Sequence, residues 1–149
     1  VAPLKGTPLA RQLFGSVSAR QCGDIDMLVP ERHWEVAYAA LREDGYHPEF
    51  SPSRPRVAKH TFHGIPLRRT THGIEFSIEL HWMLNDPRFV SIDYGRLWAR
   101  IMDSRCADTA MYSLPVEEML VYLALHLAKH NSGRLRLIAD VDRLVNQYR

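Results

Sequence analysis

The sequence predicts an α+β fold in which strands dominate the first part of the chain and helices the second. Two stretches, 23–29 and 74–82, alternate apolar and polar residues with the period of two that is typical of a half-buried strand. From Asp93 onward, apolar residues instead recur every three or four positions, as on one face of a helix. We therefore expect an α+β core over residues 1–92 and a helical C-terminal part, 93–149, packed on it.

The N-terminal elements follow from a short apolar stretch and a proline. Val1–Leu4 is expected to be a strand that runs into a turn. Thr7 is a suitable N-cap and Pro8 fits the first helical position, which predicts a helix through Leu13. Phe14–Gly23, rich in glycine and serine, is typical of a loop.

A strand at Asp24–Val29 comes next and is followed by the clearest helix of the chain. This helix is expected to begin after Pro30 and to end at Asp44, before Gly45. Its apolar residues recur at i, i+3, i+4 and i+7, namely Trp34, Ala37, Tyr38 and Leu41. Tyr46–Phe50 is expected to be a short strand.

Prolines and glycines divide the middle of the chain. Ser51–Arg56 is expected to be a basic loop, which could close over a substrate but more often is only surface. Strands are predicted at Val57–Phe62 and Ile65–Arg69, with a turn at His63-Gly64 between them, and at Ile74–Trp82.

Three helices are predicted after Asp93. The second of them is expected over Pro115–His130, with two glutamates near the positive end of its dipole. The first and third are marked by apolar residues at helical spacing: Leu97, Trp98, Ile101 and Met102, then Leu137, Val141, Leu144, Val145 and Tyr148. The tryptophans Trp34, Trp82 and Trp98 are expected to be core residues.

Composition excludes several classes of protein. A net charge of +2 is too small to indicate nucleic-acid binding by bulk electrostatics, and no apolar run approaches the length of a membrane span. Two cysteines, Cys22 and Cys106, do not form a disulfide framework, so a cytoplasmic protein is expected. The chain begins at Val1 rather than at methionine, as a processed or excised piece would.

The polar faces of the two alternating stretches are acidic. Asp24 and Asp26 share one face of the first strand, and Glu75, Glu79 and His81 share one face of the second. If both apolar faces enter one core, the acidic faces point the same way. Crowded carboxylates repel each other unless a cation lies among them, and Mg²⁺ and Mn²⁺ prefer such oxygen ligands.

The order of motifs along the chain resembles the uncharacterised bacterial nucleotidyltransferase family, which belongs to the DNA polymerase β-like superfamily. That family's pattern runs Lys-Gly, Arg-x-x-Gly-Asp-Ile-Asp-Leu-Leu-Val, Gly-Tyr, Glu-Leu-His-Trp and His-x-x-x-His. The matching segments here are Leu4-Lys5-Gly6, Arg20-Gln21-Cys22-Gly23-Asp24-Ile25-Asp26-Met27-Leu28-Val29, Gly45-Tyr46, Glu79-Leu80-His81-Trp82 and Leu125-His126-Leu127-Ala128-Lys129-His130.

This resemblance implies a polymerase β-like mixed sheet with flanking helices and a metal-dependent transfer of a nucleoside monophosphate. The substrate would be a nucleoside triphosphate such as ATP, attacked at its α-phosphorus by an acceptor hydroxyl with release of pyrophosphate. Asp24 and Asp26 would hold Mg²⁺ or Mn²⁺, and Glu79 would be the third carboxylate. Strand geometry alone does not distinguish Glu79 from Glu75, and only the Glu-Leu-His-Trp match favours Glu79.

The phosphates of such a substrate need hydrogen-bond donors and positive charge around them. Gly6-Thr7, before a helix, offers backbone N–H groups, and Lys5 or Arg20 would add charge. Gly15-Ser16 is a rival for this role. Lys129 is a further candidate for a phosphate contact, and His81 either lines the pocket or packs against a backbone carbonyl.

Two other classes of function remain open. The chain could be an inactive nucleotide-binding module that keeps the fold. It could also be a histidine-based metallohydrolase, because His126 and His130 have the i, i+4 spacing of zinc ligands. No glutamate follows His126 and no cysteine lies near it, which disfavours the zinc site.

Overall fold

The computed structural model of the chain describes residues 1–49, 63–106, 109–129 and 135–149. Its strands are β1 Ala2–Pro3, β2 Ile25–Leu28, β3 His47–Pro48, β4 Gly64–Thr71, β5 Ile74–His81, β6 Met102–Cys106 and β7 Thr109–Ser113. Its α-helices are α1 Thr7–Phe14, α2 Trp34–Glu43, α3 Tyr94–Arg100, α4 Val116–Lys129 and α5 Leu135–Gln147. Short 3₁₀ turns lie at Val17–Ala19 and Glu31–His33.

Five of the strands form one mixed sheet in the order β1-β2-β5-β4-β3. Only β2 and β5 are parallel; the other neighbours in this sheet run antiparallel. The parallel pair places Asp26 beside Glu79. The predicted α+β class with a mixed sheet and flanking helices is therefore confirmed.

The sheet is covered on both faces. On one face, α2 packs over an apolar cluster that includes Val29, Trp34, Ile78, Leu80 and Trp82. The later parts of the apolar faces that the alternation predicted for β2 and β5 meet here, whereas Ile25, Ile74 and Phe76 on the same faces are exposed. Trp34 and Trp82 meet edge to face with their ring centroids 5.3 Å apart, and both are buried as expected.

On the opposite face of the sheet, a second apolar cluster contains residues of both the N-terminal strands and the C-terminal helices. Leu4 and Leu28 from the sheet side pack with Leu97, Leu123 and Leu144 from the C-terminal helices. Trp98 packs against the same cluster but is only partly buried. Residues 93–149 therefore bury apolar surface against the sheet face that carries Asp26.

Two helix starts differ from the predicted ones. Gly6, not Thr7, is the N-cap of α1, and its φ of 83° suits a residue without a Cβ. The residues after Pro30 first make the 3₁₀ turn, so α2 begins at Trp34. Gly45 does end this region with a φ of 86°, as predicted.

The main error of the sequence analysis is the helix expected over Leu97–Met102. That helix, α3, ends at Arg100, and Met102 begins the antiparallel hairpin of β6 and β7. Four apolar residues fit a helix or a helix followed by a strand equally well, and the hairpin depends on pairing with residues further along the chain. The predicted strand Val57–Phe62 and the Ser51–Arg56 loop lie outside the described residues.

None of the helices in the described ranges has the length and apolar character that a membrane crossing needs.

Candidate metal and nucleotide site

Two carboxylates and one imidazole converge on the parallel strands β2 and β5. Asp26 and Glu79 are register partners, and His81 follows Glu79 on the same face of β5. One ligand atom from each of the three residues lies within 4.8 Å of the others. This spacing, with hard oxygen atoms and an imidazole nitrogen, is compatible with a divalent cation.

His81 lies between the two carboxylates. Its Nε2 is 3.2 Å from Asp26 Oδ1 and 3.6 Å from Glu79 Oε2. Burial lowers the pKa of His81, but the two carboxylates outweigh burial and raise this pKa above its ordinary value. When protonated, the imidazole can hold the two acidic groups together, and when neutral its nitrogen is free to face a cation.

The carboxylates respond in the opposite direction. Burial raises the pKa of Asp26. The hydrogen bond from His81 and the charge of Lys5 lower it by a larger amount, so this pKa lies below its ordinary value. Burial likewise raises the pKa of Glu79, and the contact with His81 again outweighs it. Both groups are thus kept ionised, as metal ligands must be.

Lys5 supplies a second positive charge to Asp26. Its Nζ lies 3.0 Å from Asp26 Oδ2 and 3.3 Å from His126 Nε2, and both Lys5 and Asp26 are buried. The Lys5 ammonium is therefore the cationic partner of Oδ2. A divalent cation bound at this oxygen would take the place of that ammonium.

Gly64 makes room for the imidazole. It is the register partner of His81 on β4, and a Cβ at Gly64 would lie 2.6 Å from His81 Nδ1. The sequence analysis assigned this glycine to a turn and missed its role. The available signal was the position of Gly64, which directly precedes one predicted strand, while the next predicted strand carries His81 on its polar face.

Asp24 lies outside the close group of ligand atoms. It lies just before β2, is half-buried, and is not a member of the close group formed by Asp26, Glu79 and His81. Instead, Asp24 and Glu79 line an open cleft of about 410 Å³. The predicted convergence of three carboxylates therefore holds closely for two of them, and the metal role of Asp24 remains a prediction.

Helix α4 presents polar side chains to the acidic group. Tyr122, His126 and Lys129 have the i, i+4, i+7 spacing of one helical face. Burial, and then the charges of Asp26 and Glu79, raise the pKa of Tyr122 well above its ordinary value, so this phenol stays protonated beside the carboxylates. The sequence analysis missed Tyr122, although its spacing from His126 was visible. His130 lies outside the described residues.

The two candidate phosphate-binding glycines lie at opposite ends of α1. Gly6 precedes the N-terminus, where backbone N–H groups and the positive end of the dipole lie. A Cβ at Gly6 would be 3.6 Å from the backbone oxygen of Asp24, so this end of α1 adjoins the acidic residues. Gly15 is the C-cap, and Ser16 caps the following 3₁₀ turn. The helix dipole therefore favours Gly6-Thr7.

Arg20 lies away from this group and is engaged by α5. Its Nε and Nη2 donate to the two carboxylate oxygens of Asp140 at 2.9 Å and 2.8 Å. Burial lowers the pKa of Arg20, but the hydrogen bonds and charge of Asp140 outweigh burial and raise it. Because Arg20 is already paired with Asp140, its contacts do not support the predicted contact with phosphate, which remains a prediction.

Comparison with known proteins now adds to this geometry. A model of a family described as an uncharacterised nucleotidyltransferase matches residues 1–149. The chain belongs to this uncharacterised nucleotidyltransferase family. Among curated proteins and among solved structures, no match was found.

Membership of this nucleotidyltransferase family agrees with the sequence resemblance and gives the site a chemical context. The segments Gly23–Asp26 and Glu79–Trp82, which carry the resemblance, are brought side by side through the parallel pairing of β2 and β5. General nucleotidyl transfer is therefore the activity that the family supports.

Proposed function

We propose that this protein is a metal-dependent nucleotidyltransferase that moves a nucleoside monophosphate from a nucleoside triphosphate, with ATP the first to test, to an acceptor hydroxyl. The observation that carries the proposal is the register pairing of Asp26 with Glu79, which brings one ligand atom of each, and one of His81, within 4.8 Å of one another. The family of the chain agrees with this chemistry.

The residues present fit a divalent metal. Asp26 and Glu79, joined from the cleft by Asp24, would hold Mg²⁺ or Mn²⁺. A bound cation would neutralise charge on the phosphates and orient the attacking and leaving oxygens. The contribution of His81 is to hold Asp26 and Glu79 at a fixed separation.

The triphosphate would lie at the N-terminus of α1. There, the backbone around Gly6-Thr7 provides N–H donors, and no side chain caps this end of the helix. Lys5 lies between this turn and Asp26, so its ammonium can move from the carboxylate toward a phosphate over a short distance. Lys129, exposed on α4, adds positive charge near Glu79.

The acceptor would enter through the cleft beside Asp24 and Glu79. Its walls are largely charged or polar: Gln21, Asp24, Glu49, Arg68, Glu75, Ser77, Glu79 and Arg136. Such walls suit a polar acceptor rather than an apolar one. Since phosphoryl chemistry requires mainly positioning and electrostatics from the protein, the cleft's task is to present the hydroxyl in line with the α-phosphorus.

The deciding experiment combines calorimetry with an assay of pyrophosphate release. The unmodified protein should bind ATP or CTP only with Mg²⁺, and Asp26→Asn should weaken this binding by more than about 100-fold while the fold survives. The matched control is Asp44→Asn, which alters an exposed aspartate paired with Arg69. Unchanged metal-dependent affinity in Asp26→Asn would overturn the proposal, and binding without release across many acceptors would favour the inactive module.

A further inference from the structure

Asp24 is held by irregular backbone rather than by the sheet. The strand begins at Ile25, and residues 21–24 have neither helical nor strand structure. On one side, the start of α1 touches this segment, where Gly6 lies close to the Asp24 oxygen. A carboxylate on such a segment keeps a fixed position only if the segment is held by other elements.

Helix α5 holds the other side of the segment at two points. Arg136 Nη1 donates to the backbone oxygen of Gln21 at 2.8 Å. Asp140, one helical turn further along α5, accepts both hydrogen bonds from Arg20. The segment that leads into Asp24 is therefore held through the side chain of Arg20 and through the backbone oxygen of Gln21.

The Arg20–Asp140 pair is deeply buried, so its two hydrogen bonds must keep their geometry. Arg20 is 6% exposed and Asp140 is fully buried. A buried charge without its partner is strongly destabilising, so the two-point contact between guanidinium and carboxylate leaves little freedom to the backbone at Arg20. Arg136, by contrast, is half-buried and lines the cleft together with Asp24.

We propose that Arg136 and Asp140 are positioning residues, which use α5 to fix the segment 20–24 and so set Asp24 at the edge of the cleft. The C-terminal helices would then be part of the active site rather than an accessory to it. The effect on nucleotidyl transfer rests on the proposed function, whereas the ordering of the segment does not.

The first readout is backbone ¹⁵N relaxation, which needs neither metal nor substrate. In Asp140→Asn, the order parameters of residues 21–24 should fall from about 0.85, the value of rigid backbone, to below about 0.6. The matched control is Leu144→Ala, one turn further along α5, which removes a buried side chain from the core without touching the segment. Equal order parameters at 21–24 in both variants would overturn the proposal.

Arg136→Ala provides a second variant if Asp140→Asn does not fold. It removes one hydrogen bond from a half-buried side chain, and the order parameters of Gln21 to Asp24 should fall while those of the rest of the chain are unaffected. Order parameters that stay unchanged in this variant would count against the proposal.

The second readout separates positioning from general stability. With an active protein, Asp140→Asn assayed well below its melting temperature should lower kcat with little change in KM, whereas Leu144→Ala should change neither. An equal loss of kcat in both variants would overturn the positioning role. If no transfer is detected in the unmodified protein, the proposed function fails while the relaxation experiment still decides the ordering of the segment.

Discussion

Lys5 and Asp26 form a buried ion pair, with Nζ 3.0 Å from Oδ2, inside the acidic group that is the candidate metal site. His81 contacts the other oxygen, Oδ1, so Oδ2 is the oxygen that we expect a divalent ion to use. The ammonium therefore neutralises the same atom that a divalent ion would use, and we expect the two cations to compete for it.

Replacing Lys5 by methionine tests this competition. With EDTA present, Lys5→Met should lower the free energy of unfolding by about 3 kcal/mol, because Asp26 loses a buried partner. Added MnCl₂ should then stabilise the variant more than it stabilises the unmodified protein, because the ion no longer displaces an ammonium. Thermal unfolding in EDTA and in a MnCl₂ series measures both effects.

The control for this experiment is Lys129→Met, which changes an exposed lysine near the same group. Its effect on stability in EDTA should stay within about 0.5 kcal/mol. If both variants respond to MnCl₂ as the unmodified protein does, Lys5 does not compete with the metal.

Two glutamates on one face of β5 can now be separated. Glu79 is paired in register with Asp26, whereas Glu75 lies before the part of β5 that pairs with β2 and forms an ion pair with Arg68. We expect Glu79→Gln to weaken Mn²⁺ binding by more than about tenfold and Glu75→Gln to leave it unchanged. Titration calorimetry with MnCl₂ alone measures this difference, and a larger loss in Glu75→Gln would reverse the assignment.

Gly64 offers a way to disturb the site without changing a charge. In Gly64→Ala, the new methyl group would lie 2.6 Å from His81 Nδ1, so the imidazole must leave its present position between Asp26 and Glu79. We expect a loss of about 1–3 kcal/mol in stability, as in other overpacked sites, and weaker Mn²⁺ binding.

Gly95→Ala is a suitable control, because its Cβ would meet only Asp93 Oδ1, at 3.3 Å, which caps α3 and does not contact His81. Calorimetry and thermal unfolding of both variants are compared. Unchanged Mn²⁺ affinity in Gly64→Ala would mean that the position of His81 does not matter for the metal.

Arg20 distinguishes a phosphate contact from a structural one. If Arg20 reaches the phosphates, Arg20→Ala should weaken triphosphate binding more than monophosphate binding. Its two hydrogen bonds to buried Asp140 lead us to expect equal losses for both nucleotides, together with lower stability. Binding of ATP and AMP with Mg²⁺, measured side by side, decides between the two roles.

The sequence predicted those parts of the fold that depend on local periodicity. Alternation identified the apolar faces of β2 and β5, and the i, i+3, i+4, i+7 pattern with Gly45 located α2. The same alternation could not separate Glu79 from Glu75, because a period of two specifies the face of a residue but not its neighbour on the next strand. The hairpin of β6 and β7 was missed for a related reason, since pairing between strands is not encoded within one segment.

By itself, the sequence determined the acidic character of the site, the α+β class and the family resemblance that the comparison confirmed. Only the tertiary structure decided which groups meet: Asp26 with Glu79 across a parallel pair, Lys5 with Asp26, and Arg20 with Asp140. The physical reason is that periodicity acts over a few residues, whereas each of these contacts joins separate elements, which come together only when the sheet and the C-terminal helices bury their apolar surfaces in common.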